Sequence, residues 1–158
     1  MKTRILALAA LFISLSAIGG MLKIPLGIAS IALDAMPALV AVLFLSAPLA
    51  GTVAALGHLA SALYGGFPLG PFHVIIALEM ALVIWLFAVL HRKDYKIGKW
   101  VAFVLGNGIV AALPFYFLLS PAFFYASVPG LVIASAINAL GAGTVMSIMA
   151  SRFRERVK

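Results

Sequence analysis

Residues 33–64, LDAMPALVAVLFLSAPLAGTVAALGHLASALY, decide the fold. This stretch is 32 residues long and almost entirely apolar, whereas one helical crossing of a bilayer needs about 20 residues. It is therefore too long for one straight helix and short for two. The number of times that it crosses sets the helix count of the chain and the side on which each end lies.

The composition of the whole chain indicates a membrane protein. Of its 158 residues, 65% are hydrophobic and 9% are charged, and the mean hydropathy is +1.22. A soluble domain is nearer half apolar and a quarter charged. Cysteine is absent, which excludes a disulfide framework and a thiolate metal site. We expect a single integral-membrane domain over residues 1–158.

The basic residues are grouped at the predicted membrane borders. Ten of the eleven lysines and arginines lie in three clusters, at residues 2–4, 92–99 and 152–158. Such clusters fix the orientation of membrane helices by the positive-inside rule. We therefore place all three clusters in the cytoplasm. The net charge of +7 is then explained without a nucleic-acid partner.

Charge parity predicts the number of crossings. If the N-terminus and the loop His91–Lys99 are both cytoplasmic, an even number of helices must separate them. Residues 33–64 then form two short helices that turn near residues 46–48, because proline suits the start of a helix. The expected fold is all-α, with six transmembrane helices and both termini cytoplasmic. The other four helices are the apolar segments Ile5–Leu22, Phe72–Leu90, Trp100–Leu119 and Val128–Ala150.

This arrangement leaves three loops on the outer face, at Lys23–Leu33, Gly65–Pro71 and Ser120–Ser127. These loops contain most of the glycine and proline turn residues. The inner connections are one short turn and one charged linker. We expect recognition of a ligand at the outer face.

Two of the four acids, Asp34 and Glu79, fall within the apolar segments. An ionisable residue inside a membrane segment indicates a functional site by default. At 1.5 Å per residue, Glu79 lies about 10 Å below the outer start of its helix, and His58 lies about 9 Å below Tyr64. We expect Glu79 and His58 to meet at one level on neighbouring antiparallel helices.

Further polar and aromatic side chains are predicted around this pair. Asp34 and His73 lie at helix starts near the outer mouth, and Asn138 lies about 15 Å down the last helix. Small-molecule sites combine apolar and aromatic walls with a few convergent polar groups. The predicted substrate site comprises Asp34, His58, His73, Glu79, Asn138, Tyr64, Phe67, Phe72 and Lys23.

Each of these residues also has a structural interpretation. Asp34 could cap a helix, His73 could only hold the preceding loop in place, and His58 with Glu79 could be a structural pair. Asn138 could join two helices by hydrogen bonds. The aromatic residues could form an interfacial belt, and Lys23 could extend to the outer headgroups.

Motifs for catalysis and metal binding are missing from the sequence. It has no GxxxxGK[ST], HExxH or GxSxG motif. His73 and Glu79 are six residues apart, a rotation of about 240°, so one helix cannot present both to a single metal ion. We expect no catalytic residue, no metal, no cofactor and no enzymatic activity. An enzyme that uses Glu79 and His58 as acid and base is the alternative.

The segments LDAMPALVAVLF, GHLASALYGG and PLGPFH resemble the S component of an energy-coupling factor (ECF) vitamin transporter, over essentially the whole chain. Small residues spaced by four in the first helix, Ala10 with Ser14 and Ser16 with Gly20, add to the resemblance. It implies capture of a vitamin at the outer face under a lid formed by Gly65–Pro71. It also implies association with an ECF module, a transmembrane coupling subunit with two ATPases, through Ala10 and Ser14.

Within that family, GHLASAL together with PLGPFH is most similar to members for alpha-ribazole, a cobalamin precursor. The polar residues suit a ring nitrogen and ribose hydroxyls, and the aromatic residues suit a benzimidazole. Thiamin, a pyridine or a pyrimidine satisfies the same argument, and a solitary proton-coupled carrier remains a separate alternative. We expect a multi-pass protein of the cell membrane, surrounded by the lipid bilayer, with its site open to the extracellular side.

Overall fold

The computed structural model describes residues 2–26 and 29–155, with side chains for residues 2–22 and 32–152. Almost all of this part is helical, and one two-stranded ribbon interrupts it. In chain order, the elements are α1 (Lys2–Met21), β1 (Lys23–Leu26), β2 (Ala29–Ala32), α2 (Ala35–Ala41), α3 (Ala47–Tyr64), α4 (Phe72–Arg92), α5 (Gly98–Gly108), a 3-10 turn (Val110–Ala112), α6 (Leu113–Leu118) and α7 (Pro121–Glu155).

Five segments of the described chain are long and apolar enough to cross a membrane. They are α1, α3, α4, the stretch Gly98–Leu118 that contains α5 and α6, and α7. The predicted helical, multi-pass membrane fold is confirmed. The predicted turn near residues 46–48 is also present, because α3 begins at Ala47 with Pro48 in its first turn.

The predicted outer loop Lys23–Leu33 contains a ribbon. Strands β1 and β2 are antiparallel, with Lys23 opposite Ala32 and Leu26 opposite Ala29. Both strands are edges, so a proline without an N–H is tolerated at position 25. We call the end of the bundle with this ribbon and residues 65–71 the ribbon end, and the end with residues 93–97 the basic end.

Helix α2 is the sixth predicted helix, and it has only seven residues, or about 10 Å. All of them except Met36 are buried. The longer segment from Leu33 to Leu45, which contains α2, nonetheless extends from one end of the bundle to the other. The Leu33 amide donates to the Gly19 carbonyl at 3.1 Å, near the end of α1, and Arg92 Nη2 donates to the Leu45 carbonyl at 2.6 Å. Turns through residues 42–46 complete the passage. The amides of residues 42–45 donate to carbonyls of residues 39–41, so this backbone is satisfied within the chain, as membrane depth requires.

Proline chemistry explains two further departures from the predicted elements. The predicted outer loop Ser120–Ser127 is helical, because α7 begins at Pro121 and Ser120 Oγ accepts the Phe123 N–H at 3.1 Å. Serine followed by proline is a helix-start signal. The predicted helix Trp100–Leu119 is broken between α5 and α6, since Pro114 lacks an N–H and its ring clashes with the carbonyl four residues earlier.

Helices α1 and α3 pack through small residues. A Cβ added at Gly57 would overlap the Ser16 side chain, and one added at Gly20 would overlap Ser61. Both glycines and both serines are buried. Ser16 and Gly20 therefore belong to the interior of the bundle, where small residues let two helix backbones approach closely.

We predict that Gly57→Ala lowers the melting temperature of the purified protein, because the added methyl group overpacks this seam by about 1–3 kcal/mol. Gly143→Ala is the matched control, since its Cβ would lie 3.5 Å from the Trp100 ring, an ordinary contact. Adding Ser16→Gly to the Gly57→Ala variant should raise the melting temperature back toward that of the wild type. Equal melting of the two alanine variants would contradict this packing.

Candidate functional site

A cavity of about 260 Å³ lies inside the ribbon end. Its walls come from β2, from helices α2 to α7 and from Pro68 and Leu69 of the connection between α3 and α4. Most lining side chains are apolar, including Ile76, Met80 and Leu131, with the rings of Phe115 and Phe123. The volume is just below the range of about 300–1,000 Å³ typical of ligand pockets, which suits one ring system with short substituents.

The connection that covers the cavity begins with a glycine in the left-handed region. Gly66 has φ +75°, and its N–H donates to the Leu63 carbonyl at 3.1 Å, while the Phe67 N–H donates to the Ala62 carbonyl at 2.9 Å. This pair of bonds is a Schellman motif, which ends a helix and reverses the chain. The reversal brings Pro68 and Leu69 over the cavity.

Three predicted site residues form one chain of hydrogen bonds at the cavity wall. His58 Nδ1 lies 3.2 Å from Asp34 Oδ2, and His58 Nε2 lies 3.1 Å from His73 Nδ1. The Leu69 N–H donates to His73 Nε2 at 3.4 Å. Asp34 and His73 are buried and His58 is nearly so. These groups join α2, α3 and α4 to the covering connection.

The chain of hydrogen bonds fixes the tautomers of both imidazoles. Because the Leu69 amide can only donate, His73 Nε2 must accept, so His73 carries its proton on Nδ1. That proton is donated to His58 Nε2, which leaves the His58 proton on Nδ1 facing the Asp34 carboxylate. Every donor therefore points the same way, from the covering connection to Asp34, with both rings neutral.

Asp34 is the first residue before α2, yet its side chain does not cap the helix. The Met36 N–H instead donates to Asn138 Oδ1 of α7 at 2.8 Å. A side-chain oxygen bonded to the second amide of a helix performs the function of an N-cap. Asn138 thus replaces Asp34 as the cap, and the Asp34 carboxylate is left to His58 and the cavity.

The Asn138 amide is fully engaged with backbone. Its Nδ2 donates to the Ala32 carbonyl at 2.7 Å and to the Ala134 carbonyl at 2.9 Å. Asn138 lines the cavity, but both of its donors are already used. Its main effect is to hold the end of β2 and the start of α2 against α7, in agreement with the structural interpretation of this residue.

Among solved structures, the chain is similar to the S component of a bacterial ECF transporter. The TM-score is 0.67 at 16% sequence identity, and the match covers 100% of this chain and 99% of that chain. The chain has the fold of an S component. At this identity the likeness concerns the fold, and the chemistry of the site depends on this chain's own residues. No protein-family model and no curated protein sequence matches the chain.

In the S-component fold, Glu79 is on α4 next to Met80, which lines the cavity. Glu79 itself is not among the lining residues, and both ring nitrogens of His58 are bonded to Asp34 and His73. The predicted pair of Glu79 and His58 is therefore wrong. The rotation of about 240° between His73 and Glu79 explains this, because His73 faces the cavity. Glu79 is one turn from Val83, which packs against α5, and Glu79 Oε2 is buried without a hydrogen-bond partner in the described chain.

The three predicted aromatic residues, Tyr64, Phe67 and Phe72, are outside the cavity wall. Tyr64 is 67% exposed. Phe67 makes an edge contact with His73 at 5.6 Å between ring centroids, and Phe72 makes one with Phe115 at 5.9 Å. None of these three rings lines the cavity. Lys23 is on β1, and its side chain lies outside the described residues.

Several lining residues are absent from the set predicted from the sequence. Phe115, Phe123 and Ser127 come from segments whose patterns predict a plain membrane helix and a loop. Asn107 also lines the cavity and donates through Nδ2 to Ser135 Oγ at 2.9 Å. The start of α7 at Ser120-Pro121 is the available signal, since a helix from there carries Phe123 and Ser127 on one face.

The described residues contain no group of three or more His, Cys, Asp or Glu side chains arranged to hold a metal ion. The hydrogen bonds of His58 and His73 explain why these side chains do not form such a group. The ring nitrogens of His58 and His73 point at each other, at Asp34 and at the Leu69 amide, so their lone pairs do not converge on one point.

We predict that Asn138→Leu speeds hydrogen–deuterium exchange of the α2 amides in the S-component fold. The variant removes the cap of α2, which is worth about 1–2 kcal/mol, and leaves the Ala32 carbonyl without its side-chain donor. Asn107→Leu is the control, since Asn107 bonds Ser135 and no group of α2. Unchanged exchange at residues 36–41 in Asn138→Leu would show that the cap has been misassigned.

Proposed function

We propose that the chain, over residues 1–158, is the substrate-binding membrane subunit of an ECF-type ABC importer. The observation that carries this proposal is a built cavity, with a hydrogen-bonded Asp34–His58–His73 chain in its wall, inside a fold that matches an S component over its whole length. Buried polar groups and an apolar, aromatic wall are the features of a small-molecule site. The proposal assigns the chain no enzymatic activity, no catalytic residue, no metal and no cofactor.

The protein is proposed to lie in the cell membrane with both termini cytoplasmic and the cavity open to the extracellular side. The distribution of charge supports this orientation. Arg92, Lys93, Lys96 and Lys99 are grouped at the basic end, and clusters beside membrane helices are retained in the cytoplasm. The ribbon end is then extracellular, with Pro68 and Leu69 as the lid over the site.

The proposed ligand is a small vitamin or vitamin precursor with an aromatic nitrogen heterocycle, and alpha-ribazole is the first candidate. Phe115 and Phe123 offer ring faces and edges for a flat heterocycle. Asp34, Ser61 and Asn107 offer polar atoms for a ring nitrogen and hydroxyl groups. Thiamin, a pyridine and a pyrimidine remain the competing ligands. The compact cavity favours those of them with few substituents.

The proposed partners are the transmembrane coupling subunit and the two ATPases of an ECF module. Ala10 and Ser14 are exposed on α1, and the Ser14 hydroxyl bonds back to the Ala10 carbonyl at 3.0 Å. The Ser14 side chain is therefore held close to its own helix. Ser16 and Gly20, in contrast, are used within the chain against α3, which supports Ala10 and Ser14 as the coupling face.

We expect Asp34→Ala to weaken binding of alpha-ribazole about 30-fold or more in calorimetry with the purified protein. Removing one partner of a buried charged contact costs about 2–5 kcal/mol, and about 1.4 kcal/mol is a factor of ten. His58→Ala should also weaken binding. Glu79→Gln should bind as the wild type does, because Glu79 does not line the cavity. Wild-type affinity in Asp34→Ala, or lost binding only in Glu79→Gln, would place the site elsewhere.

Ala10→Leu with Ser14→Leu should abolish ATP-dependent uptake into liposomes that contain the ECF module, while ligand binding to the isolated chain is retained. Two bulky residues on that face prevent close helix contact with the coupling subunit. Ala126→Leu, at an exposed alanine of α7, is the matched control and should transport normally. Uptake by the isolated chain without ATP would instead support a solitary carrier.

A further inference from the structure

The chain of hydrogen bonds at the cavity wall ends on a carboxylate that is only partly used. His58 Nδ1 is hydrogen-bonded to Asp34 Oδ2. No described residue is hydrogen-bonded to Asp34 Oδ1. The unpartnered and fully buried side-chain atoms of the described chain are Ser16 Oγ and Glu79 Oε2. Asp34 Oδ1 is therefore accessible, and Asp34 lines the cavity. It offers an incoming molecule an acceptor with a negative charge.

The direction of the hydrogen bonds keeps this polarity fixed. Moving the His58 proton from Nδ1 to Nε2 would set it against the Nδ1 proton of His73. Moving the His73 proton to Nε2 would set it against the Leu69 N–H. Each shift leaves two donors facing each other in a buried place, which costs about the desolvation of an unpaired polar group. Asp34 thus remains an acceptor, because the proton of His58 is held on Nδ1, the nitrogen that faces Asp34.

Among the cavity-lining residues that the structure describes, none carries a fixed positive charge to offset this acceptor. No lysine or arginine is among the lining residues that the structure describes. The Ser127 hydroxyl donates its hydrogen bond to the Phe123 carbonyl at 2.7 Å, so it can offer a ligand only an acceptor. An anion in the cavity would meet a carboxylate without a compensating cation, and like charges at close range in an apolar place repel each other strongly.

We infer that the cavity selects a ligand whose polar end is a cation or a hydrogen-bond donor, such as an N–H or a hydroxyl group, with Asp34 as its counter-ion or acceptor. His58 and His73 are positioning residues that hold Asp34 as an acceptor, and the site rejects ligands of the same shape that carry an anion. This inference rests on the proposed function, since it names the ligand class of the same site.

The test compares two probes of nearly equal size and shape, benzamidinium and benzoate, which carry opposite charges on a planar group. Binding to the purified protein is measured by ligand-observed NMR, with dissociation constants from titration. We expect benzamidinium to bind at least about tenfold more tightly than benzoate, a difference of about 1.4 kcal/mol. Equal affinities, tighter binding of benzoate or no binding of benzamidinium would overturn the inference.

Variants separate the counter-ion from general damage. Asp34→Asn, which keeps the size of the side chain and removes its charge, should reduce the preference to within about threefold. Asp94→Asn removes the same charge from the loop at the basic end, where Asp94 has φ +58°, and should keep the full preference. A preference that survives in Asp34→Asn, or that falls equally in both variants, contradicts the assignment.

The positioning residues have their own readout, the ratio of the two affinities. His73→Phe removes the donor to His58 Nε2 and should lower this ratio. His73→Gln should restore it, because a glutamine amide can donate to His58 and accept from the Leu69 N–H. A ratio that is unchanged in His73→Phe would remove the positioning role.

Uptake measurements with the ECF module distinguish failure of this inference from failure of the proposed function. If benzamidinium is preferred but the module drives no uptake of any candidate ligand, the proposed function fails and the ligand class stands. If the module drives uptake of an anionic ligand through this chain, the proposed function stands and the ligand class fails.

Discussion

The hydrogen bond from the Met36 amide to Asn138 is the contact on which the site depends. The first amides of a helix need an acceptor, and Asp34 is the adjacent side chain suited to provide one. Because Asn138 supplies it from α7, at 2.8 Å, the carboxylate turns to His58 and the cavity. The same amide holds the Ala32 carbonyl at the end of the ribbon. One side chain thus fixes the helix start, the ribbon and the direction of the only acid in the cavity wall that the structure describes.

The cavity joins a local constraint to a long-range one. His58 and His73 are 15 residues apart and lie on antiparallel helices on either side of the covering connection. Their contact requires the chain to reverse direction sharply after α3, and the Schellman motif at Gly66 produces this reversal. Leu69 then completes the chain of bonds from the same connection. Backbone geometry at one glycine therefore decides whether the imidazoles and the carboxylate form one network.

The sequence predicts the helical membrane fold, because hydropathy acts locally. The cost of buried charge also singles out Asp34, His58 and His73, which the structure joins by hydrogen bonds. The spacing of Glu79 from His73 turns the two side chains about 120° apart on one helix, which agrees with the absence of Glu79 from the described cavity wall. A hydrogen-bonding role of Asn138 between helices could be predicted, but its partner could not, because the amide that it bonds is 102 residues away. Phe115 gives no signal either, since a ring that faces a cavity and one that faces lipid occur in equally apolar surroundings.

The end of the short helix α2 gives one arginine two separable tasks. Arg92 belongs to the basic cluster on which the proposed orientation of the chain rests, a task for which lysine serves equally well. Its guanidinium also reaches the carbonyls of Leu45 and Ala88 from two nitrogens, a fork that an ammonium group cannot reproduce. Lysine at this position would preserve the insertion topology. It would leave the non-helical backbone after α2 with weaker hydrogen bonding at the Leu45 carbonyl. A single substitution at this position can therefore impair the packing of the chain without changing how it inserts into the membrane.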